Sequence, residues 1–76
     1  LEGMPQEQYS IQDKMGKILK DLEETPKILF TSLFTDNSRK AIVTCFLALL
    51  ELIRLRKVIV RQNQIFSEME IYRSEE

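Results

Sequence analysis

The side chains best equipped for chemistry in this chain are one thiol, Cys45, two carboxylate pairs, Glu23-Glu24 and Glu68/Glu70, and a run of cations from Arg54 to Arg61. The 76 residues include no histidine, so a His-based general base, a Ser-His-Asp arrangement and an imidazole metal site are excluded. There is no C-x-x-C, no G-x-G-x-x-G and no G-x-x-x-x-G-K-S/T, which leaves redox, dinucleotide and P-loop chemistry without support. The paired carboxylates fall where a solvated helix or strand face accounts for them. Cys45 is the sole cysteine, cannot form an internal disulfide, and lies inside the most apolar stretch of the chain. A buried structural thiol in a reducing cytoplasm is the expected state. No catalytic residue, cofactor or metal ligand is expected, and no small-molecule substrate. The chain reads as a binding module.

The elements that must position these residues follow from periodicity and punctuation. Ser10 is a good N-cap, answered three residues on by Asp13, and Ile11, Met15, Ile18, Leu19 and Leu22 then mark one face of a helix. Gly16 costs that helix up to ~1 kcal/mol relative to Ala, a cost expected to be offset by close packing. Thr25-Pro26 stops it. Lys27 to Phe30 predicts a short strand, and Thr31 to Phe34 one helical turn that turns Leu33 and Phe34 to the core. Asp36-Asn37-Ser38 is a loop ending in an N-cap, and Ser38 to Leu55 is one long helix with a basic C-terminal end. Val58 to Arg61 is a β-branched strand, Asn63-Gln64 a turn, and Glu68 to Arg73 an alternating, half-buried strand.

Helix, short strand, short helix, long helix and a two-stranded β-hairpin wing make a small α+β winged helix spanning residues 10–73. Residues 1–9 read as a lead, with Leu1-Glu2-Gly3 before Met4 as a cloning remnant on an excised domain of a longer parent, and residues 74–76 as a frayed tail. One domain is all this length allows, and its core is marginal. The longest apolar run, Cys45 to Leu50, is far short of the ~20 residues that span a bilayer, so no membrane partner is expected.

The long helix is more apolar than one small core needs. Around the wheel, Leu52, Cys45, Leu49, Ile42, Ile53, Phe46, Leu50, Val43 and Leu47 fill an arc of roughly 220°, against the ~100° stripe of an ordinary surface helix. Lys40, Thr44 and Glu51, with Ala41 and Ala48, leave a polar or neutral strip. Such a helix must be covered on two sides. Ile42, Leu49 and Ile53 are expected to pack beneath the first helix and hairpin. Val43 and Leu47 are expected to form a partner surface, and Phe46 and Leu50 to serve both sides.

Winged helices most often read duplex DNA. Arg39, Lys40, Arg54, Arg56, Lys57 and Arg61 supply material for that alternative. The net charge of −1 supplies none, and the middle of the helix offers Val43, Thr44, Leu47 and Glu51, which suit neither base edges nor phosphates.

Ser38-Arg39, Val43 and Phe46-Leu47-Ala48-Leu49-Leu50-Glu51-Leu52, followed by Val58-Ile59-Val60 and a Gln-containing turn, resemble the C-terminal domain of the bacterial segregation and condensation protein A family, the kleisins of the SMC (structural maintenance of chromosomes) condensin. Ser10-Ile11 and Ile28-x-Phe30-x-x-Leu33-Phe34 agree, so the resemblance covers about Ser10 to Arg73. It implies a non-enzymatic winged helix that binds the ATPase head of an SMC protein in chromosome condensation and segregation. The parent chain's missing parts would engage the second SMC subunit and segregation and condensation protein B. DNA would be held only indirectly, in a cytoplasmic, nucleoid-associated complex. The family's head-binding positions carry over to Phe46 and Leu50, joined on the hairpin by Ile59 and Ile71. One departure stands out: the family pattern has a glycine where the long helix gives way to the strand, and Leu55-Arg56-Lys57 has none.

Overall fold

Two helices and a three-stranded antiparallel sheet enclose a single core in the computed structural model, which describes residues 10–34, 38–65 and 67–74. Helix α1 spans Ile11–Glu24, and its N-cap Ser10 accepts a hydrogen bond from the Asp13 amide at 3.3 Å. Thr25 closes the other end, with its amide and its hydroxyl both donating to the Asp21 carbonyl. Strand β1, Lys27–Leu29, runs straight into a 3-10 turn, Phe30–Leu33, and helix α2 follows over Arg39–Arg54. Ser38 caps α2 by accepting from the Ala41 amide at 3.1 Å, as an N-cap serine should. The predicted Asp36-Asn37 part of that loop lies outside the described residues, as do the lead at residues 1–9 and the last two residues of the tail.

Strands β2, Val58–Arg61, and β3, Glu70–Arg73, form the wing. The sheet order is β1-β3-β2, so the short first strand joins the hairpin and β3 lies in the centre. Its register pairs Ile71 with Ile28 on one side and Val60 on the other. Residues directly opposite share a face, so these three point inward, and Lys27, Tyr72 and Ile59 point outward as a second row. Two carboxylates expected on solvated faces instead brace this arrangement. Glu68 accepts from the amide and the hydroxyl of Thr31, each at 3.0 Å, which pins the 3-10 turn to the approach to β3. Glu70 accepts from the Tyr72 hydroxyl at 2.9 Å and stands 3.6 Å from the Lys27 ammonium.

The core joins Ile18 and Leu22 of α1, Phe30 and Leu33 of the turn, Cys45, Ala48, Leu49 and Leu52 of α2, and Val58 and Ile71 of the sheet. The strip of α2 read as polar or neutral is part of its inward face: Ala41, Thr44 and Ala48 are buried. Small side chains at a helix contact let the axes approach closely, and α1 is the helix packed against α2. Gly16 does not share the role proposed for it. A Cβ built there meets nothing within 4 Å, so the glycine makes no close approach.

Candidate functional site: an exposed apolar face on the long helix

The inward turn of the small strip fixes what faces out. Ile53, Phe46, Leu50, Val43 and Leu47 are consecutive around the α2 wheel, covering an arc of roughly 120°, and each is 40–45% exposed. Val43, Phe46, Leu47 and Leu50, the helix residues expected to meet a partner, all lie on this outward face. Ile53 does not lie in the core as expected: it stands 40% exposed at the margin of the same face. The signal for it was on the wheel, about 20° from Phe46. At the opposite margin Leu47, Leu50 and Leu55 of the α2 end share a shallow groove with Ile11 and Met15 of α1.

Ile59 is 46% exposed, on the outer row of the sheet, and lines a depression with Ile53 where β2 passes the end of α2. Ile71 requires a correction. Set between Ile28 and Val60 in the central strand, it is 0% exposed and has no surface to offer a partner. Alternation along β3 was compatible with either face, and only the register decides.

Phe46 is held in place from beneath. Its ring stands edge-on to the buried ring of Phe30, centroids 6.3 Å apart at 89°, and Phe30 in turn meets Phe34 at 5.5 Å and 72°. Edge-to-face pairs of this kind fix ring orientation as well as adding attraction. Phe46 therefore presents a positioned surface.

The six cations of the DNA reading do not share one groove, although Arg56 and Lys57 line a depression with Arg73 beyond the end of α2. Arg39 and Lys40 begin α2, and Arg54 ends it roughly 22 Å away along the helix axis. Arg54 is committed to Glu51 through a two-point ion pair, with Nε donating to Oε1 at 3.1 Å and Nη2 to Oε2. That hydrogen bond holds the Glu51 carboxyl below its ordinary range. The guanidinium of Arg61 lies over the Tyr72 ring on the sheet, 5.9 Å from its centroid. A base-reading helix needs polar side chains along its exposed middle, and here that middle is aliphatic and aromatic.

Arg56 and Lys57 complete the junction that lacks a glycine. Arg56 has φ 64, in the left-handed region. Its amide donates to the Ile53 carbonyl and that of Lys57 to the Leu52 carbonyl, both at 2.9 Å, which is the Schellman pattern of helix termination. The cap is complete, at the cost of backbone strain that a glycine avoids.

Among the described residues no three His, Cys, Asp or Glu side chains gather as a metal site, and no helix is long and apolar enough to cross a membrane. Cys45 is fully buried with its thiol directed to the Leu33 carbonyl at 3.6 Å, and burial pushes its pKa up.

Fold and face together define a small winged-helix domain whose long helix exposes a continuous apolar face. The chain matches the family model of segregation and condensation protein ScpA over residues 3–74, and it belongs to that family. The segregation and condensation protein A of Halalkalibacterium halodurans is 41% identical over 70 residues, covering 91% of this chain and 27% of that protein. That of Halothermothrix orenii is 36% identical over 74 residues, covering 93% and 30%. The chain thus spans under a third of the length of these relatives. Among solved structures, the C-winged helix domain of ScpA bound to the SMC head superposes with a TM-score of 0.68 at 28% identity, covering 91% of this chain and 99% of that one.

Proposed function

We propose that this domain is the C-terminal head-binding part of a kleisin, and that it docks on the ATPase head of an SMC protein through the outward face of α2. The observation that carries the reading is the set of five large apolar side chains, Val43, Phe46, Leu47, Leu50 and Ile53, left 40–45% exposed on one helix face. The similarity to a domain whose solved structure has it bound to an SMC head supports it. Covering what remains exposed of each side chain is worth about 1 kcal/mol, so the five together supply about 5 kcal/mol toward association before its entropic costs. Ile59 sits at the margin of the same surface and extends it onto the sheet.

In this reading the domain performs no chemistry of its own. ATP is bound and hydrolysed by the partner's head, and the domain acts as a clasp in a complex that organises chromosomal DNA in the cytoplasm. The remainder of the parent chain would meet segregation and condensation protein B and the second SMC subunit. Leu47→Glu is the discriminating variant, because Leu47 lies at the exposed margin of the arc, away from Ile42 and the sheet. Circular dichroism of the free variant is expected to match the parent, while co-purification with an isolated SMC head is lost. A folded Leu47→Glu domain that binds the head with unchanged affinity would show that the chosen face is wrong.

A further inference from the structure

Arg39 and Lys40 occupy the first turn of α2, and no acidic residue accompanies them there. Cations at that end oppose the helix dipole, which favours negative charge at its N-terminus. The capping role is already filled by Ser38, so Arg39 is not needed as a cap. Arg39 is exposed, and among the described residues no carboxylate pairs with it. Its position matters more than its charge. Four residues before Val43 and seven before Phe46, it falls on the wheel between Phe46 and Leu50, in line with the apolar face. At the far end the last cation of the helix, Arg54, is bound to Glu51, and Arg56 and Lys57 follow beyond the helix. Within α2, Arg39 is therefore the cation in line with the apolar stripe that no described carboxylate engages. Breaking a local rule without benefit to the fold marks a site shaped for something else.

We infer that the partner surface covering α2, here the SMC head on which the previous reading rests, carries one or more carboxylates at the end of its apolar groove, placed to meet Arg39 and the N-terminal turn. That pairing fixes where along the groove the N-terminal turn of α2 lies, which an apolar stripe alone leaves open. A second copy of this chain does not fit the same surface. Two α2 helices packed parallel set Arg39 against Arg39, and packed antiparallel they set it against a carboxylate already engaged by Arg54. Phosphates would satisfy Arg39 but leave Val43, Phe46, Leu47 and Leu50 without cover.

The test uses Arg39→Glu in the full 76-residue chain. Because an acidic residue in the first turn suits the helix dipole, this variant is expected to melt at or above the parent's temperature. Its association rate with a purified SMC head is expected to fall about tenfold or more at low salt, and the rate to lose much of its salt dependence. Leu47→Glu, measured alongside, separates the two proposals. If Leu47→Glu loses the head while Arg39→Glu binds it at the parent's rate, the acidic groove end is refuted and the apolar docking face stands. If the parent itself does not bind the head, both readings fall. A loss of affinity confined to a labelled DNA duplex, with head binding intact, overturns the inference in favour of phosphate contact.

Discussion

Phe46 and Phe30 stand edge to face, 6.3 Å between centroids, one ring nearly half exposed and the other buried, so a core side chain orients a surface one. The contact joins α2 to the 3-10 turn, which Glu68 ties in its turn to the approach to β3. The exposed apolar face of α2 is thus braced by the same packing that holds the domain together.

The two rings differ in what their removal costs. Phe30→Ala empties a core position and is expected to lower unfolding free energy by about 3 kcal/mol. Phe46→Ala removes a half-exposed ring and one edge contact, and is expected to cost about 1 kcal/mol while sharply weakening head binding. Urea unfolding of both variants checks the difference. Equal losses would place Phe46 in the core in all but name.

Ala48 tests which arc of α2 faces α1. It is fully buried in the core, so Ala48→Leu is expected to destabilise by about 1–3 kcal/mol through overpacking. The neighbouring Leu47→Ala, on the outward face, is expected to cost under about 1 kcal/mol. Thermal melts of the pair decide it, and a tolerant Ala48 contradicts the close helix contact.

Two backbone positions are each expected to yield stability. Gly16→Ala places a Cβ in open space within α1 and removes a glycine from a helix interior, a gain of about 0.5–1 kcal/mol. Arg56→Gly relieves the left-handed strain at the α2 terminus, with a gain of similar size, roughly 1 kcal/mol. In a domain this small each gain corresponds to a rise of about 4–8 °C per kcal/mol, readable by calorimetry. An Arg56→Gly variant that melts lower would mean that the arginine side chain contributes more than its backbone costs.

Cys45 links the fold to alkaline pH. Burial raises the pKa of its thiol, with the Lys14 charge pulling the other way, so the folded chain holds the proton after the unfolded chain has released it. The sign follows: stability is unaffected by this group below the thiol's ordinary range and falls as pH rises through it. Cys45→Ala is expected to flatten the alkaline limb of the stability curve. Native Cys45 should also react with an aromatic disulfide only as fast as the domain opens, and rapid labelling of the folded chain would contradict its burial.

Most of the local structure was legible in the residues. Ser10 and Ser38 are caps because of their hydroxyls, Thr25-Pro26 ends α1, and the alternation from Glu68 to Arg73 makes the final strand. The pairing of β1 with β3 was not legible, since three residues, Lys27–Leu29, carry too little pattern to name a partner. Ile71 and Ile59 show the same limit on the hairpin. Both are β-branched strand residues, yet one is central and enclosed and the other faces outward.

What the sequence determined by itself is the amount of apolar surface on the long helix, because composition and a period near 3.6 set how wide that arc is. What the tertiary structure decided is its phase. Packing of α2 into the domain turned Ala41, Thr44 and Ala48 inward and left Ile53 out with Phe46 and Leu50. Width is a property of one helix, read along its own axis. Phase depends on which arc lets a second helix come nearest, and that is settled only when both are packed.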